Sequence, residues 1–163
     1  MSKKKENKTN ALRLLEQRKI VYEEHHYAWS EEHLDANEVA VQLPKKAPEE
    51  IFKTLVAQGN KTGILVAVIP SNRELDLKKI AQVSGNKKVE MLPLKDLEQT
   101  TGYLRGGCSP VGMKKLFPTF IDDSAQNFAT IVVSAGRRGL QMEVNPNDLL
   151  KVIKGQFVQI TKE

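Results

Sequence analysis

The longest unbroken apolar stretch, Gly63 to Pro70 (GILVAVIP), has the length of a buried strand and is far too short to cross a bilayer. Ile51 to Ala57 is a second β-rich run just before it, and the intervening QGNKTG reads as a hairpin or tight connection. Nearer the N-terminus, Thr9 or Asn10 is placed to cap a helix through Lys19, with Ala11, Leu12, Leu14 and Leu15 as its buried stripe. A strand follows from Ile20 to about Tyr27. Asp35 opens a short helix through Leu43, and Pro44 and Pro48 bracket a loop that cannot extend it. Further on, Asp76 caps a helix through Ser84, with Leu77, Ile80 and Ala81 on one face and Gly85 at its end. Val89 to Leu92 is a short strand, and Pro93 begins a helix that Gly102 ends. Thr119 to Asp122, Thr130 to Ser134 and Leu140 to Val144 complete the strands, the last two joined by AGRRG, and Asn145-Pro146 starts a final helix. Short helices scattered among antiparallel-looking pairs, without strict alternation, predict an α+β fold.

Composition narrows the picture. A chain of 163 residues that is 40% hydrophobic supplies one packed core. The opening MSKKKENKTN is basic but leads into no apolar segment, so it is no secretory signal, and a cytoplasmic protein is expected. The single cysteine, Cys108, allows neither an internal disulfide nor a CxxC motif. His25, His26 and His33 fit no zinc-ligand spacing, so neither a metal nor another cofactor is expected. Formal charge is +5, but the first eight residues hold four lysines against one glutamate. Residues 1–8 therefore read as a disordered basic tail, and 9–163 as one domain close to neutral. Basic doublets recur at Lys45-Lys46, Lys78-Lys79, Lys87-Lys88, Lys114-Lys115 and Arg137-Arg138. Each is ordinary solvated surface on its own; several on one face would form a weak, salt-sensitive phosphate-binding surface.

The most unusual stretch is the loop Gly102 to Gly112, GYLRGGCSPVG. Gly107 to Gly112 has the glycine spacing of a phosphate-binding P-loop, but Met113 stands where that motif needs lysine, which argues against nucleotide hydrolysis. Ser109 misses the nucleophile elbow because Val111 replaces its second glycine. Gly106-Gly107 suits either a tight turn or a backbone cradle for an oxyanion. Lys53 interrupts a run otherwise fit for burial, and alternation puts it on the face of Leu55 and Ala57. Such a lysine either snorkels to water or serves a ligand cleft. Tyr27 and Tyr103 suit a core or an adenosine pocket, with core packing the default. Cys108 beside glycines raises the option of a catalytic thiol, with no histidine near it in sequence.

Taken together, T-N-A-L-R-L-L, H-H-Y, F-K-T-L-V, L-D-L-K-K, K-K-V-E-M, T-G-Y-L-R-G-G-C-S-P-V-G-M-K-K, P-T-F-I-D and S-A-G-R-R-G-L resemble the YbaK/EbsC family of aminoacyl-tRNA deacylases. That family is similar in turn to the editing domain of bacterial prolyl-tRNA synthetases. The resemblance covers nearly the whole chain after the tail. It implies a single α+β domain, a mixed, mainly antiparallel sheet with surrounding helices, that accepts the 3′-terminal aminoacyl-adenosine of a tRNA. The implied activity is release of cysteine misattached to tRNA(Pro), and also of cysteine on tRNA(Cys). Prolyl-tRNA synthetase is the implied partner, and no membrane or metal is involved. By the resemblance, Lys53, Gly106 and Gly107 carry the chemistry, and Tyr27, Thr54, Tyr103, Ser109 and Gln141 bind the substrate. In this chemistry the substrate's own thiol attacks its carbonyl and leaves as a thiolactone, while the enzyme positions the ester and stabilises the oxyanion. Two positions depart from the family: Gln141 replaces an aspartate of some members, and Cys108 an aliphatic residue of many. The competing readings are hydrolysis of Ala-tRNA(Pro) by water and a non-catalytic module that binds tRNA or a synthetase.

Overall fold

The computed structural model describes residues 8–27 and 46–163. The expected helix from Asp35 to Leu43 lies outside the described residues, as does most of the basic tail.

Helix α1 (Asn10–Gln17) begins where Thr9 uses its hydroxyl oxygen to accept the Leu12 N–H at 3.2 Å. Its buried face is Ala11, Leu12 and Leu15. It ends two residues before the expected Lys19, which adopts a left-handed φ of 58° and turns the chain into β1 (Tyr22–His26). A short 3-10 turn, Pro48–Glu50, leads into β2 (Phe52–Gly59). β2 and β3 (Gly63–Pro70) pair antiparallel along their whole length, from Phe52 opposite Pro70 to Gly59 opposite Gly63. Of the two connections the sequence allowed, the hairpin is the one present. Helix α2 (Leu77–Ser84) has Asp76 accepting the N–H groups of Lys78 and Lys79, as its sequence requires. β4 (Val89–Met91), a 3-10 turn and helix α3 (Leu97–Thr101) then lead into the loop that starts at Gly102.

After β5 (Thr119–Asp122), β6 (Ile131–Arg137) runs three residues beyond the expected Ser134, with a register shift between Ser134 and Arg137 that tightens the hairpin to β7 (Leu140–Val144). Helix α4 (Pro146–Ile153) is capped by Asn145. It delivers β8 (Gln156–Val158), a strand of three residues that is too short to show an alternating pattern.

The strands form a five-stranded sheet, β4-β2-β3-β5-β8, and a three-stranded sheet, β1-β7-β6. β3–β5 and β5–β8 are parallel, and the other pairs are antiparallel. The sheets meet at a parallel bridge between Ile51 and Val132, both fully buried. One core lies between the sheets, with α1 and α4 closing it. It draws Phe52, Val66, Val68 and Ile121 from the large sheet and Ile131, Val133, Leu140, Met142 and Val144 from the small one. A second core packs Leu65, Ala67 and Ile69 of β3 against Ile80 and Ala81 of α2. β3 is thus covered on both faces, and for that reason its sequence is continuously apolar instead of alternating. No helix among the described residues is long and apolar enough to cross a membrane.

Candidate active site

The arrangement of β2 creates the site. One edge of β2 is paired with β3 throughout. On the other edge Ile51 bridges Val132 of β6, and the ladder to β4 starts only at Ala57. Among the described residues no strand pairs with Lys53, Thr54 and Leu55 on that edge, which leaves a notch between the two neighbouring strands. Lys53 lies on the Leu55–Ala57 face, as alternation demands, and is half-buried. Among the described residues it has no hydrogen-bond or ion-pair partner.

Counting two residues on from the Ile51–Val132 bridge brings Lys53 on β2 and Ser134 on β6 to the same face of the sheet. Ser134 pairs with Gln141, and Gln141 with His25 of β1. Gln141 is 5% exposed, and its Oε1 is buried without a hydrogen-bond partner among the described residues. Thr54 Oγ1, on the opposite face of β2, is also buried and has no partner among the described residues. A buried acceptor without a partner costs about 1–3 kcal/mol, so both positions are polar exceptions in an otherwise satisfied interior.

The glycine-rich loop closes the far side. Tyr27 donates its hydroxyl to the Gly106 carbonyl at 3.3 Å, and its N–H to Gly139 O at 3.0 Å. Burial pushes the Tyr27 hydroxyl above its usual range, against the opposing effects of the Gly139 backbone and the Arg138 charge. Gly106 has a φ of 87°, which a side chain would resist. The Gly107 N–H donates to Leu104 O at 2.9 Å, so it closes a turn and is not aimed at a ligand. A Cβ on Gly107 would lie 2.9 Å from Arg138 N and 3.0 Å from Arg137 C. The loop thus seats directly on the β6–β7 hairpin, where Arg138 Nε donates to Arg105 O at 2.8 Å.

Not every expected residue reaches the notch. Tyr103 is buried with its hydroxyl donated to Val111 O at 2.7 Å, and burial pushes it up to about 12. Ser109 is fully buried and accepts the Val111 N–H at 3.2 Å. Both brace the loop from inside. Cys108 is buried beside Tyr103 and Val56, and burial pushes its thiol up to about 12 despite a contact with Thr101. It is held neutral, the opposite of an activated nucleophile.

A polar knot that the sequence reading missed lies next to Gln141. Glu143, two residues along the same face of β7, receives Lys46 Nζ at 2.6 Å on Oε2 and His25 Nε2 at 2.8 Å on Oε1. The Thr130 hydroxyl also donates to Oε2. Burial raises the Glu143 pKa, but the hydrogen bonds from Lys46, Thr130 and His25 outweigh it and hold the carboxyl down at about 2. Glu23, His25 and Glu143 bring cation-binding atom types within 4.8 Å of one another, yet Lys46 already compensates the Glu143 charge. The available signal was the alternation of LQMEV, which puts Gln141 and Glu143 on one face; the partners of Glu143 are remote in sequence.

Comparison with known proteins adds to this geometry. Residues 31–152 match the family model described as the aminoacyl-tRNA editing domain. A protein of Enterococcus faecalis, named as a candidate Cys-tRNA(Pro)/Cys-tRNA(Cys) deacylase, EbsC, is 60% identical over 99% of this chain and 98% of its own. Among solved structures, the hypothetical protein APE2540 superposes with a TM-score of 0.84 at 19% identity, covering 94% of this chain and all of its own. A candidate trans-editing enzyme for prolyl tRNA synthetase superposes with a TM-score of 0.80 at 22% identity, covering 97% and 100%. These two likenesses establish the fold. With three quarters of its length matched by the family model and a near-full-length relative at 60% identity, the chain belongs to the aminoacyl-tRNA editing domain family.

Proposed function

We propose that this protein is a trans-editing aminoacyl-tRNA deacylase that releases cysteine from Cys-tRNA(Pro), and also from Cys-tRNA(Cys), in the cytoplasm. The observation that carries the reading is the notch: Lys53, without a partner among the described residues, shares its face with the buried Gln141, and Tyr27 meets Gly106 nearby. Lys53 meets the ester carbonyl or the terminal phosphate, and Gln141, on the same face, forms part of the wall beside the substrate. The identity to a relative named for this activity supports the choice of substrate.

The ester needs little from the protein. The substrate thiol attacks its own carbonyl carbon, forming a C–S bond. The negative charge that develops on the carbonyl oxygen is stabilised by the Lys53 ammonium. The bond to the ribose oxygen then breaks, the thiol proton passes to that oxygen, and a thiolactone departs. Most of the rate gain comes from holding thiol and carbonyl in reacting geometry, which can lower a barrier by several kcal/mol. Prolyl-tRNA synthetase is the natural partner, because it creates the mischarged species: cysteine and proline are close in size.

The test is incubation of the purified protein with labelled Cys-, Ala-, Ser- and Pro-tRNA(Pro), following loss of the amino acid. Cysteine should leave fastest, serine more slowly because a hydroxyl is the weaker nucleophile, and proline hardly at all. Equal rates for cysteine and proline would sink the editing reading. Preferential release of alanine, which has no thiol, would replace self-attack by water attack.

A further inference from the structure

Outside the notch, a cleft of about 310 Å³ lies between α1, the turn after the glycine-rich loop and α4. Asn10, Arg13 and Gln17 form one wall; their spacing puts them on one face of α1. Met113, Lys115 and Phe117 line the cleft from the turn. We infer that this cleft is an RNA-docking groove, which holds unpaired nucleotides adjoining the aminoacylated end. The inference rests on the proposed tRNA substrate and adds where its RNA body binds.

Charge is the first support. The lining contains Arg13 and Lys115 and no acidic residue. The segment from Gly102 to Pro118 carries Arg105, Lys114 and Lys115 and no acid at all. The acid of α1, Glu16, is already engaged by Lys8 and Tyr22. Arg13 is fixed by a hydrogen bond from its guanidinium to Asn10 Oδ1 at 2.6 Å, so the cation is pre-oriented across one helical turn. Lys115 is exposed, and among the described residues its ammonium has no partner.

The chemistry of the walls is the second support. Cations and amides stand beside the apolar surface of Met113 and the ring of Phe117. A phosphate ion alone would need no apolar wall. An unpaired nucleotide uses both, its phosphate on the cations and its base on an aromatic or guanidinium plane.

Continuity is the third. Pro110 and Gly112, which line the groove, belong to the same loop whose Gly106 meets Tyr27. Four chain steps lead from Gly106 to Pro110, a reach of at most about 14 Å.

The experiment uses the full chain with Arg13→Glu and Lys115→Glu together. Binding of uncharged tRNA is read by fluorescence anisotropy from low to high salt. The double variant should bind at least tenfold more weakly at low salt. Its plot of log affinity against log salt should be shallower by about 1.5, the contribution of two phosphate contacts. With Cys-tRNA(Pro) the loss should appear in KM and not in kcat. Cysteinyl-adenosine, too short to reach the groove, should turn over as with the parent protein. The neutral pair Arg13→Gln and Lys115→Gln should reduce the slope equally, which separates lost contacts from misfolding. Unchanged affinity and slope overturn the groove, as does an equal loss on cysteinyl-adenosine or displacement of the RNA by polyglutamate at comparable charge. Binding is read without any amino acid attached, so a protein that docks tRNA here but releases no cysteine would refute the deacylase reading and leave the groove standing.

Discussion

Lys53 combines two properties that a stability role would not: it is half-buried in a strand, yet it has no partner among the described residues. Lys53→Ala is expected to lower kcat/KM by at least a hundredfold while changing unfolding free energy by less than about 1 kcal/mol. Single-turnover deacylation and urea unfolding on the same preparation decide the matter; a variant that unfolds, or one that works normally, removes Lys53 from the chemistry. Cys108 makes the reverse case. With its thiol pushed up to about 12 by burial, it has almost no thiolate at neutral pH. Cys108→Ala should keep most activity, and iodoacetamide should modify the native protein far more slowly than the unfolded one. A covalent acyl-enzyme on Cys108 seen by mass spectrometry would reverse this. The composition around both residues left open a structural and a chemical role, and only their surroundings in space separate the two.

Among the elements, the glycine-rich loop and the β6–β7 hairpin act as one unit, because Gly107 lets two backbones touch. Gly107→Ala puts a methyl group within 2.9 Å of Arg138 N and 3.0 Å of Arg137 C, both backbone atoms that cannot swing aside. The loop must lift from the hairpin, at a cost of about 1–3 kcal/mol. Activity should fall with it, since the same displacement moves Gly106 away from Tyr27. A denaturant midpoint and a deacylation rate both equal to those of the parent would contradict the seating described. The glycine pair itself was plain in the sequence. That its N–H closes a turn onto Leu104, and that its neighbour is a hairpin about thirty residues later, was not. A turn and an oxyanion cradle demand the same residues, so composition could not choose between them.

At the scale of the whole molecule, Glu143 ties β1, β7 and the approach to β2 together through His25 and Lys46. Its carboxyl titrates near 2 in the folded protein, against 4.5 ordinarily. A depressed carboxyl stabilises the fold fully above about pH 4.5 and loses that contribution as pH falls toward 2. The parent should therefore be about 1–3 kcal/mol more stable than Glu143→Gln at pH 7, with the gap narrowing steadily below pH 4.5. Urea unfolding at pH 7 and pH 3 measures it; a gap independent of pH would mean that Glu143 contributes no ionic term. The sequence by itself determined the caps at Asp76 and Asn145, a helix start at Thr9 or Asn10, a close connection between β2 and β3, the α+β class and the oddity of Lys53. Each of these depends on residues within a few positions of one another, through hydrogen bonds, turn geometry and alternation. Only the tertiary structure decided the parallel pairing of β3, β5 and β8, the Ile51–Val132 bridge that opens the notch, and the meeting of residues 25, 46 and 143. Those contacts join distant parts of the chain, and their energy comes from burial and charge compensation that exist only once the two sheets have packed around a shared core.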